Sequence, residues 1–231
     1  MQNVFTAQHF VFPYLYKFPG QASDERILYV TREHYSIHLL RQCGLVVAAT
    51  LLFGCCYFLG QMTSGFLGAV VASAVQMFGA IAALLFLLIG WWWLTALWRR
   101  SIAIITTKRL VKFISTTPWT RHNLALPLDM VVDTGAYSKG LLQAVLKLGT
   151  FTARSSAASS GVATDDPARV NKKYFYIENV GNAEDIHHYL SKVLFVFRQD
   201  WSKLENFRPF LPHLKGEARK EFMKSYPEYW S

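Results

Sequence analysis

Few side chains in this chain stand at spacings that could do chemistry. Gly135-Ala136-Tyr137-Ser138-Lys139-Gly140 carries the glycine spacing of a phosphate-cradling P-loop. Leu141-Leu142 occupy the places of the Lys and Ser/Thr that such a loop needs, so it cannot hold a triphosphate in that way. His34 and His38 lie four apart and can share a helical face, yet no third ligand accompanies them and the His-Glu-x-x-His pattern is absent. His187 and His188 are adjacent and point to different helix faces. Asp165-Asp166 and Ser159-Ser160 fall in a polar loop with no rigid base or oxyanion hole beside them. The expectation is a chain with no catalytic residue, no metal site and no cofactor.

The remaining candidates are cations. Lys108, Arg109 and Lys112 lie close together, and Arg121 or Lys172-Lys173 can join them in space. Such a cluster grips phosphates, with arginine offering bidentate hydrogen bonds, and would read an anionic lipid headgroup. The plainer reading, which is preferred, takes the same residues as solvated turn charges or positive-inside charges.

A long charge-free stretch sets the elements that position these residues. From Gln42 to Trp98 there is no Asp, Glu, Lys or Arg. A helix crosses the roughly 30 Å hydrocarbon core with about 20 apolar residues. The stretch therefore suits two spans, Gln42–Leu59 and Val71–Leu97, with Gln61-Met62-Thr63-Ser64-Gly65 as the turn. Arg41 precedes the first span, Arg99 and Arg100 end the second, and the loop between them is uncharged. Lys and Arg concentrate on the cytoplasmic side, so an integral membrane protein with two spans and both termini cytoplasmic is expected. Trp91, Trp92, Trp93 and Trp98 lie just inside that boundary, where amphipathic rings prefer the headgroup region; the alternative is lipid-facing or packing bulk. Gly68/Ala72, Ala69/Ser73 and Gly79/Ala83 are small pairs that let helices approach, within the hairpin or in a dimer. Neither span holds an ionisable residue, which favours an anchor over a transporter.

The net charge of +9 divides as +1 over residues 1–41 and +8 over residues 99–231. The basic C-terminal part is thus expected to lie against the anionic inner leaflet. Tethering beside lipid makes nucleic acid the poorer partner for that charge. Cys43, Cys55 and Cys56 all fall in the first span, leaving no disulfide framework or Cys-ligated zinc site outside it. They read as small apolar packing groups, with lipid attachment at Cys43 as a lesser alternative. No basic residue precedes Lys17 and no apolar run follows it, so the first span is read as an uncleaved anchor.

Residues 1–22 are aromatic, and Pro13 and Pro19 exclude a long helix there. This segment is expected along the membrane surface or against the soluble domain. Ile27–Thr31 suits a short strand, with helix from Glu33 onward. After Arg100 the pattern turns to β-branched and aromatic runs: Ile102–Thr107 and Leu110–Ser115 around a Lys108-Arg109 turn, then His122–Pro127, Met130–Tyr137, Gly149–Ala153 and Lys173–Glu178. Gly140–Leu146 is a helical turn or bulky connection, and Ser155–Arg169 a polar loop. Asn182 is a good N-cap before Ala183-Glu184-Asp185, and Ile186, Tyr189, Leu190, Val193, Leu194 and Phe197 form one apolar helical stripe.

This order resembles the bacterial pleckstrin-homology (PH) domain family, in its small YdbS-like membrane form, over about residues 22–197. The shared parts are Asp24-Glu25-Arg26-Ile27-Leu28 with Arg32 and His34, then Ile105-Thr106-Thr107-Lys108-Arg109-Leu110 after the hairpin. Leu126-Pro127-Leu128-Asp129-Met130-Val131, Gly140-Leu141-Leu142, Leu148-Gly149-Thr150-Phe151 and Ile177-Glu178-Asn179-Val180 follow before the final helix. The resemblance implies an α+β fold: a transmembrane helical hairpin followed by a PH-like split β-barrel of two nearly orthogonal sheets, capped by the C-terminal helix. The long Ser155–Arg169 segment and the basic aromatic tail, with Trp201, Phe207, Phe210, Phe222, Tyr226, Tyr229 and Trp230, depart from it.

The chain thus divides into residues 1–41, a hairpin at 42–98, a PH-like domain at 99–198 and a tail at 199–231. The expected function is a non-catalytic, membrane-anchored adaptor or scaffold at the cytoplasmic face, with a protein partner or further copies of itself. The alternatives are an anionic-headgroup module using Lys108, Arg109 and Lys112, or an accessory subunit of a membrane enzyme or transporter.

Overall fold

Ile102-Ala103-Ile104-Ile105 is a continuous apolar run instead of an alternating one, which suits a strand covered on both faces. The computed structural model, which describes residues 2–5, 16–156, 174–211 and 216–225, places it so. The chain divides into two units, one of residues 1–34 with 99–231 and one of residues 35–98. In the first, β1 (Gln2–Asn3) and β2 (Tyr16–Lys17) form a short parallel pair. β3 (Ile27–Arg32) then belongs to an antiparallel sheet completed after the helical hairpin, which consists of α1 (Tyr35–Leu67) and α2 (Ala69–Arg100). The sheet order is β3, β4 (Ile102–Thr106), β5 (Arg109–Ser115) and β6 (Arg121–Pro127). A 3-10 turn at Leu128–Met130 leads to a second antiparallel sheet of β7 (Val131–Tyr137), β8 (Gly149–Ser155) and β9 (Tyr174–Val180). The short helix α3 (Leu141–Val145) joins β7 to β8. The amphipathic α4 (Ala183–Gln199) follows, then a 3-10 segment at Trp201–Asn206 and α5 (Gly216–Ser225).

Alternate residues of β4 feed two cores. Ala103 and Ile105 join Leu110, Phe151, Phe175 and the Ile186, Leu190, Val193 stripe of α4. Ile102 and Ile104 join Val111 and Phe113 under Val4, Tyr16 and Phe18 of the N-terminal segment. The described part of that segment therefore packs on the sheet, with Phe5 and Phe18 edge-on to Phe113 at centroid distances of 5.1 and 6.1 Å. A register shift between Ile27 and Tyr29 explains why neighbouring Leu28 and Tyr29 both meet the α4 core. The start of the tail is also part of the domain. Leu204 is buried, Phe207 and Phe210 cover the same core, and the Phe210 amide donates to the Leu28 carbonyl at 3.0 Å.

Within residues 1–41, β3 is hydrogen-bonded to β4, and α1 begins at Tyr35, close to the expected Glu33 and ahead of the charge-free span at Gln42. Asn182 stands at the N-cap position of α4 but its side chain makes no cap; its carbonyl accepts from the Ile186 amide at 3.0 Å. The expected polar loop at 155–169 lies, beyond Ser156, outside the described residues, as do Asp165-Asp166, Ser159-Ser160, Lys172-Lys173, Tyr226, Tyr229 and Trp230.

In the second unit, two helices are long and apolar enough to cross a membrane. Only 11% and 17% of their most apolar windows are buried, so their Leu, Phe and Val side chains face outward as a soluble core helix's would not. The turn falls at Gly68 (φ +83°), not at Gln61–Gly65. Thr63 and Ser64 instead donate to the carbonyls of Gly60 and Gln61 at 3.0 and 2.6 Å, keeping their polar groups satisfied inside the helix. Of the small pairs, Gly79 and Ala83 are buried, whereas Gly68 makes the turn and Ala69 and Ser73 are exposed. A Cβ at Gly79 would stand 2.3 Å from Cys56 Cβ, while one at Gly54 would meet nothing within 4 Å. Gly79→Leu is therefore expected to destabilise the hairpin by about 1–3 kcal/mol through overpacking. Gly54→Leu should leave the melting temperature of the detergent-solubilised chain unchanged or slightly raised, and equal effects would contradict this packing.

Candidate functional site

The turn between β4 and β5 is built around Thr106. Its Oγ1 accepts the amides of Lys108 and Arg109 at 3.3 and 3.0 Å and lies 2.7 Å from Glu25 Oε1. Arg109 closes a fork on the same carboxylate: Nε donates to Oε1 and Nη2 to Oε2, each at 2.9 Å. The Ala22 amide adds a bond to Oε2 at 3.1 Å, and Arg109 Nη2 also donates to the Gly20 carbonyl. The Glu25 side chain is 1% exposed. Burial alone would push its carboxyl up; the hydrogen bonds from Arg109, Thr106 and Ala22 outweigh that and hold it below the usual carboxylate range. The same pair raises Arg109. Beside it, Lys108 Nζ pairs with the exposed carboxylate of Asp24, which is lowered by that hydrogen bond.

The three cations that offered the alternative headgroup site are thus held by the domain itself. Lys112 Nζ donates to the Tyr176 carbonyl at 2.9 Å and lies 4.1 Å from the centre of that ring. Burial lowers its pKa against the pull of Glu178 and Glu33. Arg121 does not join them; its guanidinium stacks over Phe5 and Phe113 at 4.5 and 5.1 Å.

Register also separates Lys108 and Arg109, though not Lys112, from the point where the chain leaves for α1. Arg32 pairs with Ile102, Ile102 with Phe113, and Ser115 with Arg121, so these residues mark one end of the sheet. Thr106, Lys108 and Arg109 mark the other, about 13 Å away along β4.

At the first end lies a polar network that the sequence did not signal. Gln143 of α3 accepts the Lys139 amide at 2.7 Å and donates to Thr150 Oγ1 at 3.2 Å and Asn179 Oδ1 at 2.9 Å. Asn179 holds φ +56°, a conformation asparagine tolerates better than most residues, and donates to Glu33 Oε1 at 2.7 Å. Its carbonyl accepts the His34 amide at 2.9 Å. Arg32 Nη2 donates to the Arg99 carbonyl at 3.0 Å, and burial, with the nearby Arg99 charge, lowers its pKa to about 10. Glu33, Gln143 and Asn179 come from three distant parts of the chain, with no spacing that could have linked them.

Within the helical unit, Arg41, Trp91 and Trp92 are exposed and Trp93 is half-buried. His38 is buried, stacked on Trp98 at 4.8 Å, and its Nε2 accepts from Gln42 Nε2 at 2.9 Å. Gln42 also donates to Thr95 Oγ1 at 3.4 Å, joining α1 to α2. His34, by contrast, precedes α1 and does not share its face. Arg99 and Arg100 are exposed at the end of α2.

Chemically this arrangement braces more than it reacts. Gly135, the start of the P-loop-like run, sits within β7 opposite Thr152, and the run makes strand before it turns. Among the described residues no group of three His, Cys, Asp or Glu could hold a metal ion. A cleft of about 500 Å³ lined by Tyr16, Phe18, Gln21 and Arg26 reaches Glu25, whose carboxylate is already matched. No family model, no curated protein and no solved structure matches this chain.

Proposed function

We propose that the chain is a membrane-anchored, PH-like protein-interaction adaptor, held by two spans and working at the cytoplasmic face of a bacterial membrane. The fold reading is supported by seven antiparallel strands in sheets of four and three, closed by a C-terminal helix. Hydrogen bonding of β3 to β4 requires that the chain leave and re-enter on one side of the bilayer, and the arginines at Arg41, Arg99 and Arg100 favour the cytoplasmic side.

The observation that carries the adaptor reading is the pair of open edges. Of the four edge strands, β6 and β7 each hydrogen-bond to one neighbouring strand among the described residues, while the β3 edge is met by the tail at Phe210 and β9 carbonyls accept from Lys112 and His34. An extended peptide can extend a sheet at such an edge, with backbone bonds giving affinity and alternate side chains giving specificity. β7 adds exposed Val132 beside Met130. The headgroup reading is weaker because Lys108, Arg109 and Lys112 already have partners.

A photo-crosslinking residue at Val132 in native membranes should give a discrete protein adduct, in severalfold greater yield than one at exposed Glu184. Equal, diffuse labelling at both positions would sink the adaptor reading. Headgroup-selective lipid retention by the purified chain that is lost in Lys108→Gln would favour the lipid-binding alternative instead.

A further inference from the structure

Resting on the membrane reading, we propose that the domain seats itself on the bilayer through an apolar tip on α3, assisted by Trp119. Three connections share the end of the domain where the chain leaves for α1: the Glu33–His34 exit, the β5–β6 turn and the β7–β8 connection containing α3. Two of them present apolar side chains to the surroundings. Leu141 is 81% exposed, Val145 69% and Leu142 50%, on one face of α3, and Trp119 at the β5–β6 turn is 77% exposed. A short helix that displays three aliphatic residues outward while burying its only polar one, Gln143, is inverted relative to an ordinary surface helix.

Gln143 explains why α3 cannot fold away. Its bonds to Thr150 and Asn179, and the Asn179 bond to Glu33, tie α3 to residues immediately before Tyr35. A helix the length of α1 spans about 50 Å, slightly more than the roughly 40–45 Å of a bilayer with its headgroups. The residues preceding Tyr35 therefore lie at the outer margin of the headgroup layer, and α3 comes with them. Exposed Lys139 and Lys147 flank the apolar face, an arrangement that suits an anionic leaflet over neutral lipid or a protein surface. The occupant of this tip is the lipid interface of the bilayer in which the chain is anchored.

The test uses the full-length chain with Cys43, Cys55 and Cys56 replaced by alanine and a nitrobenzoxadiazole label at Leu142→Cys. It is reconstituted in phosphatidylcholine–phosphatidylglycerol vesicles with and without lipids bearing shallow doxyl quenchers. Reference labels stand at Lys203→Cys on the domain in the same background and, in a separate chain that lacks only Cys43 and Cys56, at the retained Cys55 in α1. Doxyl quenching at position 142 should exceed that at position 203 severalfold, with iodide quenching lowered in parallel. Lys139→Gln/Lys147→Gln should reduce the doxyl effect in anionic vesicles and leave it unchanged in purely zwitterionic ones. If the Cys55 label is quenched by doxyl lipids while position 142 responds only to iodide, the seating is wrong and the membrane reading stands. If the Cys55 label escapes doxyl quenching, the membrane reading fails and this inference with it. Protection of position 142 from both quenchers would place protein on the tip, which also overturns the proposal.

Discussion

Arg109→Ala is expected to lower the stability of the domain by about 3–5 kcal/mol, because it leaves the Glu25 carboxylate buried without its counter-charge. For a domain of this size that corresponds to roughly 10 °C in melting temperature. Glu25→Gln should cost less, about 1–2 kcal/mol, since the amide keeps part of the hydrogen bonding and Arg109 is partly exposed. The two losses should not add in the double variant. The pH dependence distinguishes an ion pair from simple loss of packing. The native carboxyl titrates below its unfolded value of about 4.3, so its stabilisation is complete above that value and disappears as pH falls through the lower folded value. In Arg109→Ala the direction reverses: the buried carboxyl has a raised pKa, and acidification toward pH 4 should recover part of the stability. Pulse proteolysis of the purified chain between about pH 4 and 7 would show parallel curves for wild type and variant if the pair contributed only packing.

The second large effect concerns where the domain can be cut. A fragment beginning at Ser101 keeps β4 to β9 and α4 but lacks β3 and the N-terminal segment. It loses Ile27, Leu28 and Val30, each buried, at roughly 1.5–3 kcal/mol apiece, and leaves Arg109 without Glu25. Those losses are comparable with the roughly 5–15 kcal/mol that holds a typical domain together, so the fragment should not fold. Excision of residues 35–98 should behave differently. Arg32 and Ile102 are directly paired, so joining His34 to Arg99 through Asn-Gly replaces the helical hairpin by a short loop between β3 and β4. The excised chain should be monomeric or weakly self-associating, with cooperative thermal unfolding; the Ser101 fragment should show none. A cooperatively folded Ser101 fragment would show that β3 is dispensable.

The sequence made the alternation of elements legible because apolar periodicity is local. The α4 stripe from Ile186 to Phe197, the β4 and β5 runs and the charge-free hairpin each announce themselves within one or two turns of chain. What escaped was the pairing across distance. Nothing in Asp24-Glu25 says that its partner is Arg109, because the hydrophobic pattern fixes which face a residue occupies and not which residue stands opposite. For the same reason Lys108, Arg109 and Lys112 read as solvated turn charges, or alternatively as a ligand cluster, when each is engaged within the domain. The turn of the hairpin was misplaced from Gly68 to Gln61–Gly65 because Thr63 and Ser64, read as turn residues, bond their hydroxyls to helical carbonyls. The tail to Phe210 was equally hidden: its aromatic residues fit a core that only the assembled sheet creates.

Placement of the hairpin between two hydrogen-bonded strands has a consequence for biogenesis. β3 is synthesised first and stays without its sheet neighbour until some seventy residues later, when β4 emerges. If only one of the two helices entered the bilayer, those strands would end on opposite sides and could never meet. Glu25 would then remain unneutralised and the N-terminal aromatics uncovered, a state that proteases recognise. On the membrane reading, completion of the domain would act as a proofreading step on insertion, since only a correctly threaded chain could close its own sheet.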